Sequence, residues 1–146
     1  DPHRRMITYV DTSTLLKLVI DEDGSDRASM IWTSADTLAS VALVVVEARA
    51  ALAAAKRGRR LTAEQHAHAR DELDGLLADL HIVEATEALI ANAAALAEDD
   101  ALRGYDAVHL AAALLVGTTI LSSADADLCA AADRRGLHIA NPLMTT

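Results

Sequence analysis

The sequence contains one cysteine, two prolines and no phenylalanine among its 146 residues. A single cysteine cannot form an intramolecular disulfide, so the fold must depend on its own core, which a chain of this length is able to bury. Cys129 lies in an alanine-rich, helix-like segment, and we interpret it as a buried, unreactive thiol. An unpaired cysteine is compatible with a reducing cytoplasm, which is the expected location.

Long hydrophobic runs are also missing. Hydrophobic residues make up 52% of the chain, but much of this is alanine, and no apolar run approaches the roughly 20 residues that a membrane span needs. We therefore predict a soluble protein with no membrane partner. Residues 1–5 lack the apolar centre of a signal peptide, and we interpret them as a tag remnant or a short disordered extension.

Positive charge is scarce, since the formal net charge is −9. This balance argues against nucleic-acid binding through bulk electrostatics. The basic clusters at residues 56–60 and 134–135 end predicted helices, where cations offset the helix dipole. Bound cations would reverse the sign of an acidic cleft, so the net charge does not exclude a phosphate-containing substrate.

Short apolar segments alternate with helix-like segments along the whole chain. Strands are predicted at residues 6–10, 38–40, 81–83, 118–121 and 138–140. Helices fill the intervals; Thr12 or Ser13 is expected to cap the first, and another should run from about residue 41 to 57. This alternation predicts one α/β domain over residues 1–146, with a mostly parallel sheet covered by helices on both faces. The site of such a fold lies beyond the carboxyl ends of the strands.

Four acidic residues occupy positions where this fold would normally place apolar or neutral ones: Asp11, Glu47, Asp106 and Asp125. Taken singly, each has an ordinary structural interpretation as a turn former, a solvent-facing or Arg49-paired acid, a first-turn residue or an N-cap. Carboxylates beside a core are costly without a cation. Together the four suggest an oxygen-only site for Mg²⁺ or Mn²⁺.

Four segments carry a resemblance to a known family: Tyr9-Val10-Asp11-Thr12-Ser13, Glu47-Ala48-Arg49, Tyr105-Asp106-Ala107-Val108-His109-Leu110-Ala111 and Ser123-Ala124-Asp125-Ala126-Asp127-Leu128. In order and spacing they resemble the PIN domain of VapC-type bacterial toxins, over nearly the whole chain. The resemblance implies a three-layer PIN-like fold. It also implies that the four acids are catalytic and that Asp11 and Asp106 are the principal ligands of Mg²⁺ or Mn²⁺.

The supporting residues admit several interpretations. The hydroxyls of Thr12, Ser13 and Ser123 could orient the acids, although a capping role is equally compatible for the first two. His109 follows Asp106 by three residues, and we interpret it as a packed residue with local hydrogen bonds rather than as a metal ligand. Asp127 is a candidate fifth carboxylate, but a solvated acid in the first turn of a helix is the better interpretation.

The same resemblance implies a metal-dependent endoribonuclease that acts as a toxin, is inhibited by a cognate antitoxin protein and forms a homodimer. Only Tyr9, Trp32 and Tyr105 could stack on bases, so a structured RNA such as tRNA or an rRNA loop is the expected substrate. Two alternatives remain: a catalytically weak PIN-like module that binds an antitoxin or RNA, and a DNA-directed nuclease. Four mutually repelling carboxylates argue against the first.

Overall fold

The structure is a computed structural model, and it describes residues 6–144. Five strands form one sheet: β1 (Ile7–Val10), β2 (Thr37–Val41), β3 (His81–Val83), β4 (Ile120–Ser122) and β5 (His138–Ala140). Seven helices within these residues connect or follow them: α1 (Thr12–Lys17), α2 (Ser25–Ser34), α3 (Leu43–Arg57), α4 (Ala63–Asp79), α5 (Glu87–Asp99), α6 (Gly104–Leu115) and α7 (Ala126–Arg134). The interpretation of residues 1–5 lies outside the described residues.

The sheet order is β3-β2-β1-β4-β5, and every pair of neighbouring strands is parallel. Adjacent residues of β1 point to opposite faces, so Tyr9 joins a core formed mainly with α5, α6 and α7, while Val10 joins one formed with α1, α3 and α4. Both tyrosine and valine are fully buried. The predicted α/β class, with helices on both faces of a parallel sheet, is confirmed.

Several element boundaries differ from the sequence-based prediction by one or two residues, and the cap of one helix is different. The α3 helix begins at Leu43 rather than near residue 41, because Val41 still pairs with Val83 and the Ala42 amide donates to the Val83 carbonyl at 2.8 Å. The cap of α1 is Asp11, whose side chain accepts from the Thr14 amide. The expectation that Thr12 or Ser13 caps this helix is therefore wrong.

The strand order creates a crevice between β1 and β4. The chain builds the sheet from β1 toward β3 and then crosses back to place β4 on the other side of β1. Helices therefore leave these two strands in opposite directions, which opens a gap at their carboxyl ends. Asp11 directly follows β1, and its amide donates to the Ser122 carbonyl of β4 at 3.1 Å. Within residues 6–144, no helix is long and apolar enough to cross a bilayer.

Candidate active site

Asp11 is buried at this crevice, with only 4% of its surface exposed. Its Oδ1 accepts hydrogen bonds from the Ser13 hydroxyl at 2.7 Å and the Thr14 amide at 3.1 Å. Its Oδ2 accepts from the Ser123 hydroxyl at 2.6 Å. Three donors therefore fix the orientation of this carboxylate, as a residue that holds a ligand at a set position requires.

Asp125 is tied to the same network. Its side chain caps α7 by accepting from the Leu128 amide, and its own amide donates to the Ser123 hydroxyl at 2.9 Å. Ser13 closes the other side, since its hydroxyl accepts from the Ala124 amide at 2.9 Å. Ser123 thus links Asp11 to the backbone of Asp125, and the hydroxyls of Ser13 and Ser123, two of the three named in the sequence analysis, orient the Asp11 carboxylate.

Asp106 stands in the first turn of α6 and is 9% exposed. Burial raises the pKa of Asp106 above its usual value, and the neighbouring charges of Asp125 and Asp11 act in the same direction. Arg103 opposes this rise without cancelling it. The charges of both Asp125 and Asp11 act on Asp106, so the three aspartates lie in the same part of the crevice.

Arg103 bridges two of these acids. Its Nη2 donates to Asp125 Oδ2 at 2.7 Å and to Asp106 Oδ2 at 3.3 Å, and its Nε also donates to Asp106. Its side chain nevertheless remains 76% exposed. Sequence reasoning missed this residue, although an arginine three positions before an acid at a helix start is a recognisable pairing signal.

Glu47 projects from α3 and belongs to a second, partly buried chain of hydrogen bonds. Its Oε1 accepts from the Thr12 hydroxyl at 2.7 Å and lies 2.8 Å from His109 Nε2. On the other side of the ring, His109 Nδ1 lies 2.8 Å from the Tyr9 hydroxyl. An ionised carboxylate only accepts, so Nε2 donates to Glu47, and in the neutral imidazole Nδ1 accepts from Tyr9.

This chain of contacts determines the charge of Glu47. Burial acts to raise the pKa of Glu47, but the hydrogen bonds from His109 and Thr12 outweigh it and leave the pKa below its usual value. The partner considered from the sequence, Arg49, binds Asp74 at 2.8 Å instead. The interpretation of His109 as a packed residue is correct, since it is 2% exposed. Its hydrogen bonds are not local, however, because both partners are distant in sequence.

Glu47 and Asp106 face one cavity of about 550 Å³, which is also lined by Arg103, Gly104 and Tyr105. A cavity of this size accommodates a nucleotide-sized group. Another cavity, of about 640 Å³, is bounded by residues 21–27 and by Pro142 and Leu143. It contains none of the four proposed acids, whereas the 550 Å³ cavity is lined by two of them.

The donor set suits a hard divalent cation, because every candidate ligand is a carboxylate oxygen and the cluster carries excess negative charge. The acids do not form a closed cage: within residues 6–144, no three His, Cys, Asp or Glu side chains are grouped so as to hold an ion. Arg103 provides the compensating charge between Asp106 and Asp125. The residue types therefore fit a metal site, and the roles of Asp11 and Asp106 as ligands remain a prediction.

Cys129 lies beside this cluster and is partly rather than fully buried, contrary to the interpretation from the sequence, but it is not suited to catalysis. Burial and the nearby charge of Asp11 raise the pKa of its thiol to about 11, so it is protonated at neutral pH. Its Sγ donates to the Ser123 carbonyl at 3.3 Å. Asp127, the other candidate acid near α7, is exposed, as expected for a solvated residue in a first helical turn.

A parallel sheet with acids gathered at its β1–β4 crevice is the arrangement of the PIN domain, and the PIN domain family model matches residues 8–134. The chain belongs to this family. It is 43% identical to ribonuclease VapC45 of Mycobacterium tuberculosis over 111 residues, which cover 76% of this chain and 77% of that protein.

Solved structures share the fold at lower identity. VapC20 of M. tuberculosis, described as a sarcin-ricin loop cleaving toxin, superposes with a TM-score of 0.67 at 21% identity, covering 85% of this chain and 94% of that one. A toxin-antitoxin complex from Klebsiella pneumoniae gives a TM-score of 0.62 at 20% identity, covering 92% and 97%. At these identities the likeness concerns the fold.

Proposed function

We propose that this protein is a VapC-type endoribonuclease that hydrolyses RNA phosphodiester bonds with Mg²⁺ or Mn²⁺ and acts as the toxin of a toxin–antitoxin pair. The observation that carries the proposal is the joint presence of 43% identity to a ribonuclease VapC and four acids at the crevice, two of which line its cavity. Asp11, Glu47, Asp106 and Asp125 are the proposed catalytic residues.

Asp11 and Asp106 would hold the metal, because both are buried carboxylates and the excess charge around Asp106 favours a cation. When bound, the metal supplies positive charge at the phosphate oxygens and promotes deprotonation of the attacking water. Glu47 Oε1 is already engaged by Thr12 and His109. Within residues 6–144 its Oε2 has no hydrogen-bond partner, so this oxygen is available to accept a hydrogen bond from water.

The low pKa of Glu47 limits its role. A carboxylate that holds its proton weakly is a poor general base at neutral pH but remains a good acceptor for an oriented water. Glu47 therefore positions the nucleophile. Asp125 uses one oxygen to cap α7 and the other to bind Arg103. Its proposed role is to add negative charge to the site.

One observation favours the alternative of a catalytically weak binding module. Arg103 occupies the space between Asp106 and Asp125 with a 2.7 Å contact to the latter, and a bound metal would compete with it. An ion pair made by an exposed arginine contributes little to stability, and this arginine is 76% exposed. Displacement of Arg103 by a divalent ion is therefore inexpensive, and the catalytic proposal is preferred.

The proposed partners are a structured RNA such as tRNA or rRNA, a cognate antitoxin and a second copy of the chain. The family relationship supports the antitoxin. The homodimer is supported by apolar side chains left in solvent near the end of α6, where Leu115 is 64% and Leu114 36% exposed. Light scattering at micromolar concentration tests the dimer, and a monomer would reject it.

Cleavage of total RNA tests the activity. Purified protein is incubated with Mg²⁺ or Mn²⁺, with EDTA in parallel, and compared with the Asp11→Asn variant. Discrete fragments that disappear in both controls would support the proposal. Cleavage that persists in Asp11→Asn would show that the site is misplaced, and cleavage of DNA alone would favour the DNA-directed alternative.

A further inference from the structure

The entrance of the active-site cavity carries three consecutive exposed residues, Arg103, Gly104 and Tyr105, directly before the buried Asp106. We propose that these three residues form an RNA-contacting strip in which Tyr105 stacks on a base beside the scissile phosphate and Arg103 binds a neighbouring phosphate. This inference rests on the proposed function and names residues that bind its RNA substrate.

The first argument concerns the aromatic residues. The chain has one tryptophan and two tyrosines. Tyr9 is fully buried and bonded to His109, whereas Tyr105 is 65% exposed and lines the cavity with Asp106. A single exposed tyrosine is ordinary on a protein surface. An exposed ring that lines an acid-bearing cavity offers a base the flat surface on which single-stranded nucleic acids are commonly held.

The second argument concerns charge. A protein with a net charge of −9 and several acids at its site repels phosphate unless cations are nearby. Arg103 is the arginine that lines this cavity. Its bonds to the acids use Nε and Nη2, and Nη1 has no partner among residues 6–144. A guanidinium has five donors in a fork that matches phosphate oxygens, so Arg103 can bind phosphate through donors not committed to the acids.

The third argument concerns Gly104. It lies in the first turn of α6, and a Cβ built there would meet no atom within 4 Å. Its φ does not lie in the left-handed region. Neither crowding nor backbone geometry of the described residues therefore requires a glycine, although glycine weakens a helix relative to alanine. The surface over Gly104 is open, so the substrate backbone can approach the start of α6 closely between Arg103 and Tyr105.

Gly104→Ala gives a test that does not depend on damaging the fold. The matched control is Gly75→Ala, since Gly75 is also helical, exposed and open to a Cβ but lies on α4. Both variants should be at least as stable as the unsubstituted protein. Gly104→Ala should raise the KM for RNA cleavage with little change in kcat, while Gly75→Ala should change neither. Equal KM values for the two variants would overturn the role of Gly104.

The stacking role of Tyr105 has a spectroscopic readout that needs no catalysis. A short single-stranded RNA carrying 2-aminopurine is titrated into Asp106→Asn protein without divalent metal, because this background removes one repelling charge and is expected to be inactive. Binding should quench the fluorescence. Tyr105→Phe should keep the quench and bind within about twofold, whereas Tyr105→Ala should lose it and bind about 5- to 100-fold more weakly.

Arg103 is tested by the salt dependence of the same titration. Loss of one phosphate contact should lower the slope of log affinity against log salt by about 0.7 in Arg103→Ala. Arg70→Ala removes the same charge from an exposed position on α4 outside the cavity lining. The slope of log affinity against log salt should be unchanged in Arg70→Ala. An unchanged slope in both variants would reject the phosphate contact.

These results separate the strip from the proposed function. If the unsubstituted protein cleaves no RNA with either metal yet the quench depends on Tyr105, the strip stands and the proposed nuclease activity fails. If RNA is cleaved but Tyr105→Ala retains both the quench and the KM, the strip is wrong and the activity stands. Weakened antitoxin binding in Tyr105→Ala with unchanged RNA binding would overturn the assignment of the strip to RNA.

Discussion

Replacement of Asp106 by asparagine should stabilise the metal-free protein while it abolishes RNA cleavage. Asp106 is 9% exposed, and its raised pKa means that the folded state favours its neutral form. Asparagine has nearly the same volume and carries no charge. The substitution therefore removes the unfavourable burial of a carboxylate and its repulsion by Asp125 and Asp11, together with a proposed metal ligand.

The size of the effect follows from two opposing contributions. Each unit of pKa shift corresponds to about 1.4 kcal/mol of preference for the neutral form. The lost ion pair with Arg103 offsets part of this preference, and the raised pKa already includes that opposing contribution. Each 1 kcal/mol of net gain should raise Tm by roughly 2–4 °C for a chain of this size.

The stabilising effect of Asp106→Asn should depend on pH. A carboxyl whose pKa is raised by folding destabilises the native state above that pKa, because the native state then gives up a proton that it holds more tightly than the unfolded state does. This destabilisation of the native state falls as the pH decreases through the raised pKa of Asp106. It vanishes below the pKa that Asp106 has in the unfolded state. The difference in stability between Asp106→Asn and the unsubstituted protein should therefore narrow on acidification.

Thermal unfolding followed by circular dichroism in EDTA measures these differences. Added Mg²⁺ or Mn²⁺ should make the Tm of the unsubstituted protein higher than that of Asp106→Asn. A ligand at 100 times its Kd adds about 2.7 kcal/mol to the stability of the protein that binds it. Asp127→Asn is the control, since Asp127 is an exposed acid in the first turn of α7. A lower Tm for Asp106→Asn in EDTA, or a difference that does not vary with pH, would refute the reasoning.

Three further changes test the surroundings of the acids. His109→Leu removes the 2.8 Å hydrogen bond to Glu47 and should lower kcat about 10- to 100-fold. His109→Gln keeps a donor and should lower kcat less. Equal decreases in kcat for the two variants would contradict a role for this hydrogen bond. Ser123→Ala removes the 2.6 Å bond to Asp11 and should cost about 1–2 kcal/mol in denaturant unfolding; unchanged stability would count against it. Cys129, with a pKa of about 11, should alkylate far more slowly with iodoacetamide at neutral pH than a free thiol, and rapid labelling would contradict the raised pKa.

The fold could be predicted because its signals are local. Strands 81–83 and 138–140 were predicted with the bounds that the structure has, since each is a short apolar segment between a helix and a turn. The caps at Thr62 and Thr86 follow from side chains that bond to amides three residues later. The boundary near Ala42 was not predictable, because it is set by the Val83 carbonyl of a strand about forty residues away.

The long-range contacts of His109 and Arg103 could not be predicted for the same reason. His109 was recognised as buried from its apolar neighbours, but its partners Tyr9 and Glu47 come from β1 and α3. Periodicity along one helix carries no information about which side chains of other elements meet it. The bond from Arg103 to Asp125 likewise depends on the packing of α6 against α7, whereas its bond to Asp106 is local and could have been found.

The structural and functional interpretations of the acids turned out to be compatible rather than exclusive. Asp11 and Asp125 both cap helices with the same carboxylates that line the crevice, so each helix start fixes an acid where the site needs it and its dipole favours the negative charge. Substitution of either by alanine would remove a cap worth about 1 kcal/mol together with a candidate catalytic group. Asparagine caps a helix about as well as aspartate. Asp11→Asn therefore separates the two roles, and only a loss of cleavage in that stable variant would count as evidence for catalysis.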